Sequence, residues 1–428
     1  MSTDSAIHRL LSRAANVEPR ETATVLASFF LFFFMWAGYF AVRPVRETIG
    51  TVLGRDAVAD LWVVTAVFSI LVIPFYGLVV GRVRRSVFLP GIYGLVALFL
   101  AGIGLSMQGG EISPFVGKCF YVFISVMNLF LLSMFWSFLL EIFDSGQSKR
   151  LFGFIAAGGS AGALAGPLIS DLAVGKIGNS GILYLGAAMF IVAIVCQRVL
   201  LGIWAAHPSA EGARRGEDRP IGGNVFAGVT HILRSPYLLG IALFVVFIST
   251  VNTLLYFEQL RLVEQAFPET TDRTRVFARL DWIVQTLTVL SQIFLTGRIA
   301  KQFGVKALLT WVPLAMVVGF MAIAATGTFT VLAVVFVLRR ACEYAFIRPG
   351  REMLWSPLDK ETKYKAKNTI DVPVYRGADA IAAQVNNAVA SAGAGTVGVA
   401  LLGAGVAAAW GFLGAWLGRK YEATVSKR

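Results

Sequence analysis

Histidine and cysteine are scarce in this chain, three of each among 428 residues. Cys119, Cys196 and Cys342 stand far apart inside apolar segments, which excludes a disulfide framework and a thiolate metal site. His8, His207 and His231 fall in the amino-terminal tail and in or near a polar central stretch, so a histidine-based metal site is not expected either. Charge is thin as well: Asp, Glu, Lys and Arg supply 15% of residues, where an ordinary soluble domain carries ~25%. No GxxxxGK[ST] loop occurs, which removes a P-loop motor. The run Gly393-Ala-Gly-Thr-Val-Gly398 fits GxGxxG, but it sits in a Gly/Ala-rich apolar hairpin without an acidic residue about 20 positions on, so it does not read as a dinucleotide site. No cofactor, no metal and no enzymatic activity are expected.

What fills the chain instead is apolar. Hydrophobic residues make up 57% of it and the mean hydropathy is +0.71, the composition of a polytopic membrane protein. Twelve runs approach the ~20 residues that a helix needs to cross a hydrocarbon core: 22–42, 59–80, 87–107, 115–142, 151–174, 182–204, 236–260, 276–296, 307–326, 328–349, 372–394 and 396–418. The first is too long for a signal-peptide core and reads as a spanning helix. The expected fold is all-α and integral to the membrane, with twelve transmembrane helices in two six-helix bundles. The long polar stretch AAHPSAEGARRGEDRPIGG divides them. Residues 1–204 form the expected N-terminal bundle and 236–428 the C-terminal one. Residues 205–235 form a cytoplasmic linker in which Val225, Phe226, Val229, Ile232 and Leu233 make one face of a surface-lying helix.

A net charge of +13 would point to nucleic acid in a soluble protein; here it reflects loops that face anionic lipid, so the bilayer is the expected partner and nucleic acid is not. With both termini inside, 25 lysines and arginines fall in inner segments and nine in outer ones, the asymmetry that sets orientation. A monomer in a bacterial inner membrane, multi-pass, with both termini cytoplasmic, is the resulting expectation. Gly77-x-x-x-Gly81-Arg82-x-Arg84-Arg85 after the second run and Gly297-x-x-x-Lys301-Gln302-x-Gly304-x-Lys306 after the eighth form a weak internal repeat. Both resemble degenerate forms of the loop between the second and third helices of major facilitator transporters. Gly158, Gly162 and Gly166, spaced by four and followed by Pro167, give the fifth run a face that allows close helix approach.

Polar residues inside apolar runs carry the functional signal, because a charge at the centre of a spanning helix costs roughly 2.5–3.5 kcal/mol. The densest set lies in Arg339–Gly377, where Arg339, Arg340, Glu343, Arg348, Arg351 and Glu352 crowd the end of the tenth run. Arg339 and Glu343, spaced i,i+4, can neutralise one another. Arg340, Tyr344, Arg348 and Arg351 share a helical face and are expected to hold an anion. Asn252 and Tyr256 lie on a polar face of the seventh run, Asp281 and Gln285 on one of the eighth, and Asn128 and Glu141 lie in the fourth. Tyr375, Asp379 and Asn386 share a face, with Arg376 placed to pair with Asp379 at i,i+3. These faces are expected to line a polar cavity. In the first run the phenylalanines are expected to face lipid and Tyr39 to face the cavity; Arg43-Pro44-Val45-Arg46-Glu47 then repeats the pattern Arg348-Pro349-Gly350-Arg351-Glu352.

With Pro349-x-Arg351-Glu352-Met353, Pro357-Leu358-Asp359, Lys363-x-Lys365-x-Lys367, Asp371-Val372, Phe135-Trp136, Glu141-Ile142 and Lys149-Arg150-Leu151-Phe152, the chain resembles the nucleotide (ATP/ADP) translocases of intracellular bacteria and plastids and their shorter bacterial relatives, from about residue 22 to 418. The resemblance implies a major-facilitator-like fold and exchange of ATP for ADP without hydrolysis. Its charged positions map to Arg43, Arg46, Glu141 and Arg351. The chain departs from the pattern in carrying arginine at 46 and 351, where lysine is usual, and Pro44, where an acid is expected; Glu258 stands nearest to the family's seventh-helix glutamate. Nucleotide would then be cargo, an anionic small molecule held by Arg43, Arg46, Arg340 and Arg351 through charge-assisted bonds. Tyr39, Tyr344 and Asn128 would serve base and sugar, while Glu141, Glu343 and Asp379 would pair with arginines and release them to cargo. The alternative expectation is a proton-coupled transporter of another small organic anion.

Overall fold

A computed structural model of the protein describes residues 17–80, 85–108, 112–206, 227–358, 366–367 and 369–425. The described residues are almost entirely helical. In chain order the helices are α1 (Thr22–Leu53), α2 (Arg55–Val80), α3 (Arg85–Ser106), α4 (Pro114–Ile142), α5 (Ser145–Ala206), α6 (Ala227–Arg234), α7 (Pro236–Ala266), α8 (Thr270–Ser291), α9 (Gly297–Thr326), α10 (Phe329–Cys342), α11 (Arg348–Met353), α12 (Tyr375–Ser391) and α13 (Gly395–Val425). One-turn π segments join α8 to α9 (Gln292–Thr296) and α10 to α11 (Glu343–Ile347), and another, Ile370–Val374, leads into α12.

Among the described residues, seven stretches are long and apolar enough to cross a membrane. One of them lies in α5, whose 62 residues would extend about 93 Å at 1.5 Å per residue, three times a ~30 Å hydrocarbon core. Gly178 divides it: with φ at +67° it adopts a conformation that costs a residue with a Cβ and glycine nothing, and the helix breaks there. The two pieces correspond to the fifth and sixth apolar runs. Of the helices outside the seven, α8 carries Asp281, α10 carries Arg339 and Arg340, and α12 carries Arg376 and Asp379. Large apolar side chains project outward, with Phe115 75% and Phe412 81% exposed, as a bilayer requires and water would penalise. The protein is an all-helical, multi-pass membrane protein.

The chain forms two compact units. Unit 1 holds Met1–Ile49, Val72–Ile221 and Glu269–Trp282. Within it α1 packs closely on the first half of α5: a Cβ on Gly162 would stand 2.3 Å from the Phe33 carbonyl oxygen, so only hydrogen fits. Two turns further on, Ser170 Oγ donates to the Ala41 carbonyl at 2.7 Å and locks the same contact. Phe32 of α1 stacks flat on Phe135 of α4 with ring centres 4.0 Å apart. Unit 2 holds Gly50–Leu71, Gly222–Pro268 and Ile283–Arg428. Its core is built on Phe244, Phe320, Leu332, Trp355 and Trp410, all fully or nearly buried. The basic loop residues Arg82 and Arg84, the linker arginines Arg214, Arg215 and Arg219, and Asp359, Lys360, Lys363 and Lys365 lie outside the described residues.

Candidate functional site

Unit 1 gathers a row of alternating charges. Arg43, Arg46 and Glu47 sit at i, i+3 and i+4 and therefore share one face of α1. Glu47 serves both arginines: its Oε1 lies 3.4 Å from Arg43 Nη2 and accepts a short hydrogen bond from Arg46 Nη2. Beyond Arg43 stands Asp281 of α8, its Oδ2 2.5 Å from Arg43 Nη1. Beyond Arg46 stands α4, where Ser125 Oγ accepts from Arg46 Nη1 at 3.1 Å and the Tyr121 ring centre lies 5.2 Å from the guanidinium. Ser125 spends its own proton on the Tyr121 carbonyl at 2.6 Å, which leaves its lone pairs to the arginine. Glu47 and Asp281 are each 4% exposed, so neither carboxylate has bulk water to fall back on. Tyr39, one turn before Arg43, is buried edge-on against Trp36 and Phe40.

The segment that brings Asp281 into this row is held at two further points. Thr48 and Thr274 share a hydrogen bond at 2.6 Å. Asp171 of α5 accepts from Arg279 at 3.1 and 3.2 Å and from Trp282 Nε1 at 3.0 Å.

Unit 2 carries a second cationic group around Glu343. Arg339 Nη2 lies 2.7 Å from Glu343 Oε2, and Arg348 Nε lies 3.3 Å from Glu343 Oε1. The second pair is five residues apart, a spacing that an α-helix does not bring together; the π turn at Glu343–Ile347 does. Arg339, 2% exposed, also donates a short hydrogen bond to Asn252 Oδ1 of α7. The Arg348 guanidinium lies 4.2 Å from the ring centre of Tyr344, whose carbonyl accepts from Gln292 Nε2 at 3.3 Å. Arg348 remains half exposed, while Arg340 is buried with its guanidinium 5.4 Å from the Phe336 ring. Towards the end of this region Arg351 Nη2 stands 3.3 Å from Asp371 Oδ1, and Lys367 pairs with Glu352 at 2.5 Å. Burial pushes the Asp371 carboxyl above its usual range, against the pull of Arg351 and Lys367.

Of the expected residues, the structure brings Arg43, Arg46 and Asp281 together in unit 1, and Glu343 and Tyr344 together with Arg348 in unit 2. Asn252 joins the second group through Arg339. The π turn at Glu343–Ile347 shifts the register between Arg340 and the later pair Arg348 and Arg351. Asp379 Oδ1 accepts a short hydrogen bond from Ser249 Oγ of α7, and Arg376, half-buried, acts on that carboxylate through space, with no salt-bridge contact between them among the described residues. Asn128 is one turn beyond Ser125 on α4, and Glu141 is exposed at the end of that helix, about 24 Å from Ser125 at 1.5 Å per residue. Tyr256 packs on Trp62 with ring centres 5.0 Å apart, Gln285 is half-buried, and Glu258 pairs with Arg261 at 2.5 Å. The phenylalanines of α1 are expected at lipid from the sequence; Phe30 is 45% exposed, but Phe32 is buried between helices and Phe29 packs on Phe154. Sequence reasoning missed Tyr121, Ser125 and the double role of Glu47, although Tyr121 and Ser125 stand one helical turn apart in the fourth run.

A family model described as TLC ATP/ADP transporter matches residues 115–421, well over half of the chain. Among curated proteins, the ADP,ATP carrier protein 1 of Chlamydia trachomatis is 26% identical over 298 residues, covering 60% of this chain and 55% of that one. The protein of the same name from Chlamydia pneumoniae is 25% identical over 331 residues, covering 68% and 61%. The chain thus spans little more than half the length of these relatives. Among solved structures, the nucleoside transporter NupG is similar with a TM-score of 0.63 at 14% identity, over 92% of this chain and 98% of that one. A bacterial homologue of the iron transporter ferroportin, in an inward-facing state, follows with a TM-score of 0.62 at 13% identity, over 92% and 98%. At that identity the likeness speaks for a major-facilitator-like fold.

Proposed function

The chain belongs to the TLC ATP/ADP transporter family, and from that premise we propose that it exchanges adenine nucleotides, ATP for ADP, across a bacterial inner membrane by alternating access. In this reading its helices make twelve crossings, both termini are cytoplasmic and the working unit is a monomer. The nucleotide is moved and not hydrolysed.

The observation that carries the reading is the crowding of guanidinium around Glu343. Arg339 and Arg348 both contact this one buried carboxylate, two cations on a single anion. Excess positive charge inside a membrane protein is expensive, and a polyphosphate is the anion whose charge density matches it. Arg348 and Arg351 supply forks for phosphate oxygens, and Tyr344 gives a ring face to which a base can stack. Arg43 and Arg46 of unit 1 are phosphate ligands of the same kind.

The test is uptake of labelled ATP into proteoliposomes of the purified full chain. Uptake that requires ADP or ATP inside supports the reading. Uptake of some other anion into empty vesicles, driven by a pH gradient and indifferent to internal nucleotide, overturns it in favour of a proton-coupled organic-anion transporter. Arg351→Ala transporting at the wild-type rate would remove Arg351 from the site.

A further inference from the structure

The row Asp281–Arg43–Glu47–Arg46 contains two cations and two anions, and the anions come from different places. Glu47 lies on α1 with both arginines, fixed by helical spacing alone. Asp281 comes from α8, more than two hundred residues along the chain, and reaches Arg43 at 2.5 Å. A carboxylate and a phosphate offer a guanidinium the same thing, two oxygens in a plane that matches its fork. Only one of them can take a given face of Arg43. We propose that Asp281 is an intramolecular competitor of phosphate for Arg43, and that its displacement by a nucleotide phosphate frees the segment Glu269–Trp282 from α1. This rests on Arg43 being a phosphate ligand, as proposed above.

Three features support a competitor over an inert ion pair. First, a buried pair that only stabilised the fold would be no better than an apolar one, because desolvation offsets most of its attraction. Second, Glu47 is shared by Arg43 and Arg46, so the acid that completes the balance is Asp281, the one member of the row that comes from another helix. Third, the Asp281 contact belongs to a registered series. Arg43 meets Asp281 and, five residues on, Thr48 meets Thr274, seven residues back on α8, so the two helices run past each other in opposite directions. Thr48–Thr274 is neutral and offers phosphate no cation, and Arg279, which pairs with Asp171, is more than half exposed to the outside of the series. Arg43–Asp281 is the buried ion pair of the series and the one that ties α8 directly to α1. Coupled in this way, an exchanger has a reason to move only when loaded: without phosphate, Asp281 reclaims Arg43.

The Thr48–Thr274 contact provides the readout. In the full chain with Cys119, Cys196 and Cys342 replaced by serine, Thr48→Cys and Thr274→Cys place two thiols where two hydroxyls touch. Disulfide formation under a mild oxidant is followed in proteoliposomes with and without ATP. ATP is expected to slow bridging about fivefold or more, the lower end of ordinary coupling between two sites. Asp281→Asn is expected to bridge slowly without ATP and to show no further response to it. Asp281→Glu, which keeps the charge, is expected to restore the ATP response, an outcome that a purely structural role does not predict. Bridging at the parental rate in Asp281→Asn, or bridging that ignores ATP while the same vesicles exchange nucleotide, overturns the proposal and leaves the transport function intact. If ATP is neither exchanged nor felt, but inorganic pyrophosphate slows bridging in the parent and not in the Asp281→Asn variant, the competitor role stands and the nucleotide reading falls.

Discussion

The two arginine groups differ in how their charge is balanced. In unit 1, Arg43 and Arg46 face Glu47 and Asp281, two against two, and every link of the row is a contact of 3.4 Å or less. In unit 2, Arg339 and Arg348 share Glu343, two against one, while the other buried acid of the region, Asp379, spends its contact on a serine hydroxyl. A balanced row stores nothing until one member is displaced. A cationic surplus attracts an anion outright. The same residue type thus meets two kinds of charge balance, which neither sequence spacing nor the repeated Arg-Pro-x-Arg-Glu pattern distinguishes.

The comparison breaks most visibly at Arg339. Its side chain is 2% exposed and tied to Glu343 and Asn252, so Arg339→Ala leaves a buried carboxylate with less compensation and is expected to destabilise the protein by about 3–5 kcal/mol. Loss of the folded protein's peak in detergent, with recovery in Arg339→Ala/Glu343→Leu, would check it; unchanged stability in the single variant would count against a structural role for the pair.

Gly162→Leu should be next in size and lies outside both groups. Any Cβ there meets the Phe33 carbonyl oxygen, and forcing α1 from α5 is expected to cost about 1–3 kcal/mol, read as a lowered thermal midpoint. Because α1 also carries Arg43 and Arg46, exchange should fall together with stability; exchange at the parental rate would show the row to be indifferent to helix approach.

Arg348→Ala sharpens the comparison in the other direction. Arg348 is half exposed and contributes to the surplus without being needed to neutralise Glu343, which keeps Arg339. Stability is expected to change little, while exchange falls about tenfold, equivalent to the ~1.4 kcal/mol of one lost charged hydrogen bond. Equal losses of stability and transport would assign Arg348 to the fold.

The smallest effect is a pH slope. Burial raises the Asp371 carboxyl above the ordinary 3.8, so the folded protein binds more protons there than the unfolded chain does. Its contribution to stability is therefore present below the ordinary value and is lost as pH rises through the raised one. Asp371→Asn should flatten that part of a thermal-midpoint series against pH; an unchanged slope would show that Arg351 offsets burial completely.

Much of the fold was legible in the chain. Apolar run length set where helices cross, and Gly178 broke the longest helix between two runs that hydropathy had already separated, because hydropathy and backbone sterics act locally. That some helix approaches α5 closely was legible for the same reason, since a glycine every fourth residue makes one bare face; that the helix is α1 was not. The site was legible only by residue type. Arginines inside apolar runs announce a cost that something must offset, yet which group offsets it depends on contacts hundreds of residues apart.

Composition and periodicity by themselves determined that the chain is an all-helical membrane protein with cationic positions embedded near residues 43 and 340. Tertiary structure alone decided that Asp281 meets Arg43, that Ser249 of α7 hydrogen-bonds Asp379, and that a π turn moves Arg348 onto Glu343. The reason is that helical spacing fixes which side chains share a face, but a single extra residue in one turn rotates that face, and only packing chooses what it meets.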